Sequence, residues 1–215
     1  MGIDILYQDD HLIAVSKPAG QLTIPGRGQI PGDPLNIELG KLLKRPVFIV
    51  HRLDRGASGL VLFAKDAPTH RELNGQFEHR DVKKTYLVLV QGRVDGDGRV
   101  DQPIKAFGSG RMGVHPSGKP SQTDYKVLER MKEATLLEVS PLTGRRHQIR
   151  VHLYSIGHPV MGDTLYGKVT PVGGIERLML HARTLAFVDP QGRAQALEAD
   201  VPADFKSVLA RLGSA

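Results

Sequence analysis

The chain reads as an α+β protein built on a mixed, largely antiparallel sheet. Short apolar runs of strand length outnumber stretches of helical period, and they often adjoin with no crossover helix between them. The glycine-rich pieces match no phosphate loop: no Gly-Lys-Ser/Thr follows a strand, and no GxGxxG opens a helix. The size and balance, 215 residues with 40% hydrophobic and 24% charged, suit a single domain or one domain with two lobes.

The elements follow in order. Ile3 to Tyr7 and Leu12 to Val15 predict two strands around the acidic turn Gln8-Asp9-Asp10. Lys17-Pro18-Ala19-Gly20 stops the second strand. Residues 25–34 are rich in glycine and proline and predict a loop. Leu35 to Leu43 has helical spacing. Val47 to Val50 and Gly59 to Ala64 predict two more strands, the latter too uniformly apolar for an edge. Asp66-Ala67-Pro68 is a helix start, with Asp66 as N-cap and Leu73 and Phe77 on the buried face. Lys84 to Val90 predicts a strand and Gly92 to Asp101 a turn. Residues 106–120 predict a mobile, basic surface loop. Gln122 to Arg130 and Ala134 to Ser140 predict a hairpin pair. Arg145 to Ile156 has helical period, with Ile149, Leu153 and Ile156 on one stripe. Leu178 to Val188 predicts a strand, and Ala203 to Leu212 a closing helix.

Composition narrows the function. A net charge of +6 favours a polyanionic partner, because cations placed near phosphates release condensed counterions. A merely soluble basic protein would carry the same charge. The absence of cysteine excludes disulfides, zinc–thiolate sites and cysteine nucleophiles, and fits a cytosolic protein. The first ten residues lack a basic n-region, so no signal peptide is expected. No apolar run approaches membrane-spanning length.

Three segments carry candidate chemistry. The first is His51-Arg52-Leu53-Asp54-Arg55-Gly56-Ala57-Ser58-Gly59, a polar connection between two apolar strands. An aspartate in such a turn is most often structural, accepting backbone N–H groups two residues on. Arg52 and Arg55, however, would keep a carboxylate at Asp54 ionised. The second segment is Thr143 to His152, at a strand-to-helix junction whose helix N-terminus attracts anions. Arg146 and Arg150 are four apart and share a helix face in this reading. Arg150 borders the buried stripe, so it needs a carboxylate partner, for which Asp54 is a candidate. His147 and His152 lack the i, i+4 spacing of helical metal ligation. His152 reads as a satisfied core histidine, and no catalytic metal is expected. The third segment is Lys83-Lys84-Thr85-Tyr86, where Tyr86 is either core or a platform for a base.

Lys17-Pro18-Ala19-Gly20, His51-Arg52-Leu53-Asp54 with Ser58-Gly59-Leu60, Lys83-Lys84-Thr85-Tyr86 and Thr143 to His152 occur in one order along the chain. Gly157-His158-Pro159 with Gly162-Asp163, and Leu178-Met179-Leu180-His181-Ala182, complete the set. Together they resemble the RluA family of pseudouridine synthases. The resemblance spans almost the whole chain. It departs at Ala57, where the family usually has Thr, and at Ser16, where Asn often precedes Lys-Pro.

The resemblance implies the pseudouridine synthase catalytic fold in two lobes, with flanking helices and a central basic cleft. It implies that residues 1–215 form a single catalytic domain, with no N-terminal RNA-binding module. The activity implied is isomerisation of uridine to pseudouridine in RNA, which consumes no external reagent and needs no cofactor. Asp54 would be the indispensable carboxylate, adding to C1′ or C6 as nucleophile or taking the C2′ proton as base. Arg150 would pair with it. Tyr86 would stack on the uracil and assist removal of the C5 proton. Leu180 would line the pocket. Arg52 would fill the space left by the flipped base. Lys83, Lys84, Arg145 and Arg146 would contact phosphates. The expected partner is structured RNA, a stem-loop of ribosomal or transfer RNA, met by a cytoplasmic monomer with no membrane association. Ile24-Pro25-Gly26-Arg27 resembles compact members of the family, and the 106–120 loop is expected to help choose the target. Two other classes compete: a hydrolase or nuclease built on Asp54 and His51, and a non-catalytic RNA-binding module.

Overall fold

A computed structural model of the chain describes residues 2–26, 32–108, 110–167 and 175–213. Part of the predicted 25–34 loop, including Arg27, lies outside the described residues, as does Ser109. The fold is α+β, with twelve strands and four helices among the described residues. It divides into two compact units, residues 1–84 with 182–200 and residues 85–181 with 201–215.

The first unit begins with β1 (Asp4–Gln8) and β2 (Leu12–Lys17), which pair antiparallel. Asp9 makes the predicted acidic turn: its carboxylate accepts the N–H groups of His11 and Leu12, at 2.8 and 2.7 Å. Helix α1 (Leu35–Leu43) follows. The predicted strand at 47–50 shrinks to β3 (Phe48–Ile49), which pairs with β4 (Ser58–Ala64). β2 lies on the other side of β4, with Leu12 opposite Ala64 and Lys17 opposite Gly59. This central place explains why every residue of β4 is buried. Helix α2 (Ala67–His79) opens as predicted: the Asp66 carboxylate accepts the Thr69 N–H at 2.8 Å.

The unit is completed by the part of β11 (Leu180–Val188) from Ala182 onward, and by β12 (Ala194–Glu198), an edge strand the sequence reading passed over. β11 neighbours β4 in the sheet. Gly59 permits the close approach, since a Cβ there would overlap the backbone of Ala182. Leu12, Leu60, Leu62, Leu73, Val82 and Phe187 share the core.

The second unit starts within β5 (Lys83–Gln91) and runs in the order β5, β10 (Ala134–Pro141), β9 (Gln122–Arg130), β6 (Gly98–Asp101), with antiparallel registers from β5 to β10, β10 to β9 and β9 to β6. β6 occupies the end of the predicted 92–101 turn. Helix α4 (Ala203–Gly213) packs Phe205 and Val208 against Leu87, Leu89 and Leu136.

Two expectations fail in this unit. The 106–120 segment is not an irregular loop. It holds a hairpin of β7 (Ile104–Ala106) and β8 (Met112–Val114), whose glycines and prolines serve its turns. The helix predicted from Arg145 begins later, as α3 (Gln148–Ser155). His147, at φ +56°, interrupts the helical path before it. Arg145 and Arg146 therefore precede the helix, and Arg146 and Arg150 do not share a helix face. α3 is buried at every position from Gln148 to Leu153, not along one stripe, because it packs against β9 and β10 and also against the hairpin. Among the described residues, no helix is long and apolar enough to cross a membrane.

Candidate active site

Asp54 stands in the connection from β3 to β4, half-buried, with exposed Arg52 and Arg55 on either side of the Leu53–Asp54 pair. The backbone around it is fixed by the 17–23 segment. Leu53 is 5% exposed, and both its N–H and its carbonyl bond to the buried Thr23 hydroxyl at 3.2 Å. The Arg55 carbonyl accepts the Gly20 N–H at 2.8 Å, and Arg55 Nε donates to the Gly20 carbonyl at 2.9 Å. Ala57 N–H donates to the Asp54 carbonyl at 3.1 Å, closing the turn.

Lys17 ties these pieces together. It is fully buried, and its ammonium donates to the carbonyls of Pro18 at 2.8 Å, Gln21 at 2.9 Å and Arg55 at 3.3 Å. An ammonium has three N–H donors and no acceptor, so backbone oxygens are its natural neighbours in a buried site. The Lys-Pro-Ala-Gly motif is thus a clamp on the Asp54 loop.

His51 has a structural part. Its Nε2 accepts the Leu62 N–H at 3.0 Å, and its ring stacks on Phe77 at 5.0 Å and 21°. Burial, followed by the nearby charge of Lys84, pushes its pKa down to about 3. A neutral ring whose Nε2 is engaged by backbone is poorly placed as a general base. Lys84 itself lies 5.6 Å from the centre of the Phe77 ring, and burial lowers its pKa. Its ammonium is turned to this apolar stack, whereas Lys83 is exposed.

In the second unit, Tyr86 is half-buried on β5, opposite Val139 of β10. Leu180 is 5% exposed. Arg146 is exposed; Arg145 is half-buried and its Nε has no partner among the described residues. Arg150 is almost wholly buried and forms a bidentate pair with Asp163, Nε to Oδ2 at 2.7 Å and Nη2 to Oδ1 at 2.8 Å. Tyr166 lies beneath its guanidinium, 5.1 Å from the ring centre. The Tyr166 hydroxyl accepts the Met112 N–H at 3.0 Å and meets His147 Nδ1 at 2.9 Å.

The start of α3 is held by Gln148. Its Oε1 accepts from the Thr143 hydroxyl at 2.6 Å and the Arg145 N–H at 3.0 Å. Its Nε2 donates to the Gln122 carbonyl and to Thr123 Oγ1, both at 2.9 Å. Thr123 meets His152 Nδ1 at 2.8 Å, and His152 Nε2 reaches the Gln102 carbonyl at 2.9 Å. A carbonyl only accepts, so Nε2 carries the proton and Nδ1 takes the threonine hydrogen. His152 is the satisfied core histidine expected, and burial lowers its pKa.

A profile of the RNA pseudouridylate synthase family matches residues 11–155. The chain belongs to this family. It is 42% identical to the ribosomal large subunit pseudouridine synthase D of Nitrosomonas europaea, over 96% of this chain and 64% of that protein. It is 38% identical to the dual-specificity RNA pseudouridine synthase RluA of Vibrio vulnificus, over 87% of this chain and 78% of that protein. The chain therefore spans under two thirds of the first relative's length. Among solved structures it is similar to human RNA pseudouridylate synthase domain containing 4, with a TM-score of 0.78 and 28% identity over 97% of this chain and 92% of that one.

For this member of the pseudouridylate synthase family, the sequence reading missed the supports. The sequence marks Lys17 and Asp163 only as parts of motifs and assigns no role to Thr23, Gln148 or Tyr166. The one available signal was charge: a lysine before a proline at the end of an apolar strand, and an aspartate thirteen residues after a near-buried arginine. Neither says which partner it meets.

Proposed function

We propose that this chain isomerises uridine to pseudouridine in RNA, with Asp54 as the essential carboxylate. The observation that carries the reading is the clamping of the Asp54 loop by Lys17 and Thr23, in a chain of this family. A carboxylate that must meet one sugar or base atom gains from a backbone already held in place. In this reading residues 1–215 work as one catalytic domain, and Arg150, its plane set by Asp163, pairs with Asp54 and keeps it ionised. The N1–C1′ bond breaks, the uracil turns, C5 joins C1′, and the proton leaving C5 is balanced by one gained at N1. Tyr86 stacks on the ring and assists at C5. Leu180 lines the pocket, and Arg52 fills the stack vacated by the flipped base. Lys83, Arg145 and Arg146 contact phosphates. Lys84, turned to Phe77, contributes less. The substrate is a stem-loop of ribosomal or transfer RNA, acted on by a cytoplasmic monomer.

The test is Asp54→Asn, with pseudouridine mapped in cellular RNA. Isomerisation should vanish while RNA binding persists. Pseudouridine still made by the variant would refute the role of Asp54, and activity lost on adding a chelator would point to metal-dependent chemistry instead.

A further inference from the structure

A pocket of about 370 Å³ opens in the second unit between the β7–β8 hairpin and α3. That volume lies in the range of roughly 300–1,000 Å³ typical of small-ligand clefts. Aromatic residues make up only 5% of the chain, yet Phe107, Tyr154 and Tyr166 all line this pocket. Phe107 and Tyr154 are 44% and 48% exposed, with Phe107 edge-on to His115 and Tyr154 tilted 6.3 Å from Tyr166, so each keeps a face open to a ligand. Tyr166 is buried, with its hydroxyl held by Met112 and facing His147, so its ring is fixed. Gly113 leaves room for the Phe107 ring, because a Cβ there would come within 2.8 Å of it.

The charge around the pocket is mostly positive, and the carboxylate beside it, Asp163, is engaged by Arg150 and by the N–H groups of Leu165 and Tyr166. No Asp or Glu occurs from Gln102 to Thr123, or from Pro141 to Gly162. These stretches carry Lys105, Arg111, Lys119, Arg145, Arg146 and the paired Arg150. Arg111 lines the pocket, lies 5.5 Å from the centre of the Tyr166 ring, and donates to the Leu165 carbonyl. Arg146, exposed just ahead of α3, adds a further positive charge. Aromatic walls inside a rim of cations suit a planar base attached to phosphates. They do not suit an acidic peptide, which would leave the rings unused.

We propose that this pocket holds an unpaired base of the RNA other than the uridine being isomerised, with the adjoining phosphates on Arg111 and Arg146. The proposal rests on the reading of the chain as an RNA-modifying enzyme. It adds a subsite that would favour targets with an extrahelical nucleotide besides the reacting uridine.

The probe is a hexa-adenylate with 2-aminopurine at a central position, titrated against the full chain at low salt. Stacking should quench the fluorescence. Phe107→Ala and Tyr154→Ala should each weaken binding tenfold or more, and Arg111→Gln should reduce the slope of log affinity against log salt by about one. Both rings are exposed, so the variants should keep the parent's thermal midpoint. Asp54→Asn should quench like the parent. Unchanged quenching in both aromatic variants would overturn the subsite and leave the role of Asp54 standing. Self-association of the parent, lost in Tyr154→Ala, would overturn it in favour of a second copy of the chain. Pseudouridine made by Asp54→Asn would strike the catalytic reading alone.

Discussion

Arg150 and Asp163 face each other as a fork on a fork, with two charge-assisted hydrogen bonds of 2.7 and 2.8 Å between side chains that are 8% and 0% exposed. Asp163 also accepts the N–H groups of Leu165 and Tyr166, at 2.8 and 3.1 Å. One carboxylate therefore sets both the plane of Arg150 and the turn that presents Tyr166. Removing one partner of a buried pair leaves an uncompensated charge, at a cost of about 3–5 kcal/mol. Asp163→Asn should lose about that much in urea unfolding. Arg150→Lys keeps the charge but not the fork, and should lose isomerisation out of proportion to stability. Equal urea midpoints for parent and Asp163→Asn would show that the pair is not what holds this turn.

Lys17→Met should expose the role of the clamp. The apolar stem is replaced, but the carbonyls of Pro18 and Gln21 lose the Lys17 donor, while that of Arg55 keeps the Gly20 N–H. Each unsatisfied buried acceptor costs about 1–3 kcal/mol. The urea midpoint should fall, and hydrogen exchange should rise across residues 51–58. Unchanged exchange at Leu53 and Ala57 would sink the idea that Lys17 rigidifies the Asp54 loop.

Gly59→Ala should be severe. The residue has φ +109°, and an added Cβ would lie 2.7 Å from the Ala182 nitrogen and closer still to its carbonyl oxygen. Backbone strain costs about 1–3 kcal/mol, and overpacking about 1–3 kcal/mol more. Gly144→Ala, where nothing lies within 4 Å of the added carbon, should be mild by comparison. Thermal midpoints of the two variants would settle the contrast.

His51 predicts an acid limb to stability. Its pKa in the folded chain is about 3, below the ordinary 6.5, so the unfolded chain binds the extra proton. The contribution is fully present above pH 6.5 and is lost as the pH falls toward 3. The slope from one such group is at most about 1.4 kcal/mol per pH unit. His152 is shifted in the same direction and adds to it. His51→Gln keeps an acceptor for the Leu62 N–H and should flatten the curve between pH 6.5 and 3. An unaltered pH dependence would mean that His51 titrates normally in the folded chain.

Much of the frame was legible in the chain. The alternation at residues 3–15, the cap at Asp66 and the unbroken apolar run into Ala64 placed β1, β2, α2 and β4, because burial and local hydrogen bonding act over a few residues. Periodicity misled where packing comes from more than one side. From Gln148 to Leu153 α3 is buried at every position between β9, β10 and the hairpin, so the stripe of Ile149, Leu153 and Ile156 understates its burial, and its start is fixed by Gln148 and the positive φ of His147 rather than by propensity. The glycines and prolines of 104–119 looked like loop composition because a short hairpin uses the same residues for its turns.

The sequence alone singled out Asp54 as the candidate carboxylate and carried the family resemblance, because residue types and their spacing are written directly in the chain. The tertiary structure alone decided what holds those residues. That Lys17 spends its charge on the carbonyls of Pro18, Gln21 and Arg55, that His51 serves the backbone of Leu62, and that Asp163 meets Arg150 are facts of distance. A charged side chain leaving bulk water takes whatever partner the fold brings within about 3 Å, and no local pattern encodes which one that will be.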